Sequence, residues 1–68
     1  MKLSARNQLK GTVTGVTVGA VMAEVVVDVG GQEVVAAITR GSADSLALAA
    51  GDEVTVIIKA TEVILGKN

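Results

Sequence analysis

Three short polar runs interrupt an otherwise apolar chain: Ser4-Ala5-Arg6-Asn7-Gln8, Thr39-Arg40-Gly41-Ser42 and Lys59-Ala60-Thr61. All three are rich in hydrogen-bond donors, and none contains a carboxylate. An arginine presents a planar fork of N–H groups that matches the edge of a tetrahedral oxyanion. Arg6 supplies that fork, Lys59 a second positive charge, and Ser4, Asn7, Thr39, Ser42 and Thr61 neutral donors. Backbone N–H groups of an irregular entry segment add to such a set. The second run opens a short helix, whose free N–H groups favour an anion. Two basic groups with several neutral donors in an apolar frame suit the capture of a small dianion. Each run also has a plainer reading: a solvated strand end at Arg6, a helix cap at Ser42, and a solvated Lys59 beside a β-forming Thr61.

Other chemistries are excluded more firmly. The 68 residues contain no cysteine and no histidine, which removes disulfides, the common zinc and haem ligands, and a serine triad for Ser42 or Ser45. Gly30-Gly31 is not followed by the Lys-Ser/Thr of a phosphate loop. Glu24, Asp28, Glu33, Asp52, Glu53 and Glu62 alternate with apolar residues or sit in turns, as on a solvated outer face. No enzyme, cofactor or cation site is indicated. A nucleic-acid-binding module needs stacking aromatics and a basic groove; this chain has no aromatic residue and a net charge of −1. Charged residues break the longest apolar run well short of the roughly 20 residues of a membrane span. Met1-Lys2-Leu3 lacks the apolar stretch of a signal peptide, and the cytoplasm is the simplest location.

The elements that must position these runs are mostly strands. Val and Thr are frequent, Pro is absent and Gly punctuates the segments. A first strand is expected over 7–18. Val13 is out of phase with Val16 and Val18, so a β-bulge is expected at Gly15. A second strand follows over 21–29, a tight Gly30-Gly31 hairpin, and a third strand over 33–39. A short helix is expected from Gly41 to about Ala49, with Ser42 as N-cap, Asp44 in its first turn and Gly51 as its stop. Strands over 54–59 and 61–65 complete the chain. This order predicts an all-β subunit with one short helix, a five-stranded OB-like Greek-key barrel. Val26, Val35 and Ile57 fall on its outer face, where burying each is worth about 1.5–3 kcal/mol. With half the residues hydrophobic and no disulfide or metal to staple it, a domain this small is expected to oligomerise, with those three residues in subunit contacts.

In order along the chain, Ser-Ala-Arg-Asn-Gln-Leu-Lys-Gly at 4–11, Ile-Thr-Arg-Gly-Ser at 38–42 and Ile-Lys-Ala-Thr at 58–61 resemble the molbindin (Mop) family. Leu46-Ala47-Leu48 and Gly51-Asp52-Glu53-Val54 fit between them, so the resemblance covers essentially all of residues 1–68 as one domain. Similar domains occur in molybdate-responsive regulators and in molybdate-transporter ATPases; lacking a helix-turn-helix or an ATPase segment, this chain resembles the free-standing form. The resemblance implies strand exchange between OB-like subunits, a homohexamer arranged as a trimer of dimers, and binding of molybdate or tungstate between subunits for storage or buffering. It implies an oxyanion site of Ser4, Arg6, Thr39, Ser42, Lys59 and the backbone of Ala60, with Asn7 and Thr61 beside them, and a second site at the Val18-Gly19-Ala20 turn. The alternatives are a molybdate-sensing module acting through a partner protein and a purely structural β oligomer. Arg6 and Lys59 lie at opposite ends of the chain, so the site is expected to assemble across a subunit boundary.

Overall fold

The computed structural model describes residues 1–68. Four strands, β1 (Asn7–Val18), β2 (Met22–Val29), β3 (Gln32–Thr39) and β4 (Glu53–Ile58), form one antiparallel sheet in the order β3-β2-β1-β4. The helix α1 (Arg40–Ser45) joins β3 to β4, and a 3₁₀ turn (Ala60–Glu62) follows β4. No helix is long and apolar enough to cross a membrane.

β1 has the expected bounds and pairs on both sides: residues Asn7 to Thr12 with β4, and Thr12 to Val18 with β2. Its register with β2 shifts between Val13 and Gly15, which makes Thr14 the extra residue of the expected bulge. The phase change turns Val16 and Val18 to the same face as Val13. Val13 lies opposite Val27, and Val16 opposite Val25. Buried Val13, Val25 and Val27 form the core, with Val16, Val29, Ala36, Ile38, Leu48, Val54 and Val56 packed around them. Gly11 lets β1 cross β2 closely: a Cβ there would stand 2.6 Å from Val27 Cγ1 and 2.7 Å from the Asp28 carbonyl oxygen. Gly30 and Gly31 form the β2–β3 hairpin with φ of 59° and 88°, the left-handed pair that a two-residue turn requires.

Several expectations are corrected. β2 begins at Met22, β3 at Gln32, and β4 one residue earlier than expected. The helix has six residues, and its cap is Thr39 rather than Ser42: the Ser42 N–H donates to Thr39 Oγ1 at 3.1 Å. Asp44 therefore falls outside the first turn. The helix stops far before Gly51. The Leu48 N–H donates to the Ala43 carbonyl and the Ala47 N–H to that of Asp44, while Ala47 has φ of 50°. These are the paired bonds of a Schellman stop with alanine where glycine is usual, so the sequence carries no glycine to announce it. Gly51 instead donates its N–H to the Val13 carbonyl at 2.8 Å, and Asp52 accepts from the Val13 N–H at 2.9 Å. These two bonds extend the β1 ladder.

The fifth strand expected over Thr61–Leu65 does not form in the single chain, which leaves a four-stranded open sheet rather than a closed barrel. The 3₁₀ turn leads the backbone away from β4, and Val63 to Leu65 have no ladder partner. Ile64 and Leu65 are 92% and 90% exposed. Val26, Val35 and Ile57 share the outer side of the sheet as expected, but they do not make one patch. Val26 pairs with Val35, whereas Ile57 pairs with Gln8 near the far end of β1.

Replacing Ala47 with glycine relieves a left-handed conformation worth about 1–2 kcal/mol against roughly 0.4–1 kcal/mol of added chain entropy. Ala47→Gly is expected to raise the urea midpoint at fixed protein concentration, and Gly11→Ala to lower it, with a stability loss of about 1–3 kcal/mol. Equal midpoints for all three proteins would contradict this account of the helix stop and of the close strand crossing.

Candidate functional site

β1 starts where β4 ends. Asn7 pairs with Ile58 as the last pair of the β1–β4 ladder, so Arg6 and Lys59 are the residues next beyond that end of the ladder, one on each strand. Both side chains are exposed. Neither takes part in a salt bridge: the one ion pair in the structure is Arg40 Nε to Asp44 Oδ2 at 3.8 Å. Ser4 lies in a bend before β1, and the Gln8 side-chain N–H donates to the Ala5 carbonyl at 2.8 Å, fixing that entry. Asn7 is half-buried. On the other side, Lys59 is extended and precedes the 3₁₀ turn. The first N–H groups of that turn, Ala60 and Thr61, have no acceptor within it. Ser4, Arg6 and Asn7 thus lead into β1 at the same end of the sheet at which β4 runs out into Lys59, Ala60 and Thr61.

Thr39 and Ser42 lie elsewhere. Thr39 ends β3 opposite Met22, and β2 meets the far end of β1 where Ala23 pairs with Val18. The 12 residues of β1 put roughly 36 Å of strand path between the two donor groups, at about 3.3 Å per residue. The Arg40 N–H donates to the Val21 carbonyl at 2.8 Å, which ties α1 to the Val18-Gly19-Ala20 turn. That turn is closed by the Gly19 N–H on the Met22 carbonyl at 2.7 Å. The proposed second-site residues therefore sit beside Thr39 and Ser42, at the opposite end of β1 from Arg6. A helix of six residues adds little dipole, so this end must rely on side-chain hydroxyls. Thr39 Oγ1 and Ser42 Oγ share a hydrogen bond at 2.8 Å, and Thr39 Oγ1 also caps the Ser42 N–H.

Glu62 shares the 3₁₀ turn with Ala60 and Thr61; the carboxylates of Asp28, Glu33, Asp44, Asp52 and Glu53 lie away from both groups or are already engaged. Glu53, Thr12, Asp28 and Glu33 form one row across all four strands on the outer side. The concavity over this row, lined by Lys10, Thr12, Asp28 and Glu53, has the wrong charge for an anion. Asp44 pairs with Arg40. Asp52 Oδ2 accepts from the Ala49 N–H at 2.9 Å, a structural role that its place in an apparent turn did not reveal. No group of three acidic side chains assembles into a cation site.

Residues 3–65 match the TOBE domain family. The chain is 46% identical over 66 residues to molybdenum-pterin-binding protein 3 of Clostridium pasteurianum, covering 96% of this chain and 97% of that one. Among solved structures, a molybdate-binding protein from Sporomusa ovata superposes with a TM-score of 0.94 at 49% identity, covering 98% and 100% of the two chains. The cytoplasmic molybdate-binding protein ModG, with molybdate bound, superposes at 0.85 with 52% identity, over 88% of this chain and 43% of ModG.

Arg6 and Lys59 are like charges just beyond one end of the β1–β4 ladder, with no salt bridge to either; like charges brought close repel, and salt screens that repulsion. Thermal midpoints measured from about 0.01 M to about 0.15 M sodium chloride are expected to rise for the wild type and to flatten for Lys59→Met, which keeps the apolar stem. Equal salt slopes would show that the two charges do not interact.

Proposed function

The chain belongs to the TOBE domain family, within its molbindin (Mop) group, and from that premise we propose that it binds molybdate, and tungstate alike, as an oxyanion-binding protein rather than an enzyme. The observation that carries this reading is the arrival of Arg6 and Lys59 at the same end of the β1–β4 ladder with no salt bridge to either. A tetrahedral dianion set between them replaces a repulsion by two attractions. Ser4, Asn7 and Thr61 donate to its remaining oxygens, and Ala60 contributes through its backbone N–H. Molybdate and tungstate have the same shape and charge, so one donor set serves both.

The separation of Thr39 and Ser42 from Arg6 supports a site shared between copies, in which one subunit brings its Arg6–Lys59 end to another's Ser42 end. Burial supports the same arrangement. Only Val13, Ala23, Val25, Val27 and Ala43 are buried, while Val63, Ile64 and Leu65 trail exposed from the sheet. Exchange of that tail onto a neighbour's open edge supplies the fifth strand, and repetition gives the homohexamer, a trimer of dimers. The Val18-Gly19-Ala20 turn is then a second binding position. The function is storage and buffering of the oxyanion in the cytoplasm, with no nucleic-acid or membrane partner. A ligand that binds only the assembled form stabilises the assembly by mass action.

Native mass spectrometry of the anion-free protein, with molybdate and with sulfate as control, tests this reading. The expected result is a hexamer that gains molybdate and not sulfate. Arg6→Ala is expected to keep the hexamer and to lose molybdate affinity at least tenfold. A hexamer that gains no molybdate, or an unchanged affinity in Arg6→Ala, overturns the assignment.

A further inference from the structure

The three donor runs are not equally well held by their own chain. The first is fixed where it enters β1, because the Gln8 side-chain N–H donates to the Ala5 carbonyl at 2.8 Å. The second is fixed by the helix cap, in which Thr39 Oγ1 accepts from the Ser42 N–H at 3.1 Å. The third has no such bond. No side-chain hydrogen bond or salt bridge involves any residue from Lys59 onward, and every residue from Lys59 to Asn68 is exposed. The 3₁₀ turn rests on two backbone bonds, from the Glu62 N–H to the Lys59 carbonyl at 2.9 Å and from the Val63 N–H to the Ala60 carbonyl at 3.4 Å. The second is long for a bond of this kind. Yet this turn presents Lys59, Ala60 and Thr61 together.

Only Glu62 separates Thr61 from Val63-Ile64-Leu65, an apolar stretch with no partner in its own chain. The fold carries a seat for such a stretch. Leu46 and Leu48 after α1, with Val54 and Ile57 of the edge strand β4, line a hollow that Asp52 and Glu53 also border. Apolar residues followed by Lys67 match that lining in hydrophobicity and in charge. The chain's own tail stands exposed, so the occupant is the tail of a second copy. We propose that Ile64 and Leu65 are positioning residues of the oxyanion site: seated on a second copy, they fix the turn that carries Lys59, Ala60 and Thr61. This rests on the molybdate and exchange reading and names the element that links its two halves. A turn that must be ordered as the anion binds lowers affinity, whereas a turn held from its far end is ordered beforehand. Coupling is reciprocal, so a tail that raises anion affinity by some factor is held more tightly by the same factor when the anion is bound.

The first test uses the wild type at a protein concentration at which native mass spectrometry shows the anion-free chain to be fully hexameric, so that molybdate changes no assembly. Amide hydrogen exchange, which reads local opening, is followed with and without molybdate. Exchange at Val63, Ile64 and Leu65 is expected to slow about tenfold, within the usual range of such coupling, and that of Gly31 and Gln32 in the hairpin to stay unchanged. The second test is molybdate titration of variants. Ile64→Val keeps the anchor and is expected to stay within about threefold of the wild type, while Ile64→Ala with Leu65→Ala is expected to lose about tenfold. Val63→Gly covers the case in which that pair prevents assembly: both anchors remain, and glycine loosens the joint between them and the turn. It is expected to assemble, to bind molybdate about fivefold more weakly and to lose the response of tail exchange to the anion. A wild type that binds molybdate with no slowing of tail exchange, or a Val63→Gly hexamer of unchanged affinity, overturns the positioning role while molybdate binding stands. A wild type that does not assemble, or that binds no molybdate, instead overturns the reading on which the role rests.

Discussion

β1 is the strand on which this subunit depends, because it joins the β2–β3 pair to β4, pairing with β4 over its first half and with β2 over its second. Two conditions make that possible. The bulge at Thr14 turns the strand's second half so that Val13, Val16 and Val18 face one core. The absence of a side chain at Gly11 lets the strand pass Val27 and the Asp28 carbonyl at a distance no Cβ would allow. Without the phase change, two of the strand's three valines, Val16 and Val18, would turn to the opposite face from Val13. Without the close crossing, the two ladders could not share Thr12, which pairs with both Asp28 and Glu53.

The same strand sets the geometry of the donors. Its start carries Arg6 to Lys59, and its end leads through the β1–β2 turn to Thr39 and Ser42. A long strand with polar groups at its two ends cannot bring them together within one sheet. The small core points the same way. With five residues buried and large aliphatic side chains left exposed, the subunit has not removed from water the apolar surface its composition offers, and association is the remaining route. The proposed assembly, in which copies of the chain meet end to end, answers both the separation of the donors and the exposed apolar surface.

Much of the fold was legible because its signals are local. Alternation of Val with polar residues marked β1 to β4, the phase slip marked the bulge, and Gly30-Gly31 marked the hairpin. The helix was misjudged at both ends because its signals are not written in the usual residues. Thr39 reads as the last residue of a β-branched strand, yet its hydroxyl caps the helix. Ala47 reads as a helix former, yet it takes the left-handed position that ends one. The last segment had the pattern of a strand but no neighbour to pair with in its own chain, and a strand is defined by its partner as well as by its residues.

For the site, the chemistry was written in the sequence and the geometry was not. Residue types alone determined that the chain carries donors without carboxylates, that cysteine and histidine chemistry is absent, and that its core is aliphatic, because these are properties of side chains wherever they lie. Tertiary structure decided which donors meet. Arg6 and Lys59, nearly the whole chain apart, become neighbours through the pairing of Asn7 with Ile58, whereas Ser42, between them in sequence, is carried to the far end of β1. It also decided that the Thr39 hydroxyl oxygen caps the Ser42 N–H. The physical reason is that strand register is a long-range relation, set by burying one face of the sheet, and no short motif states which strand will lie beside which.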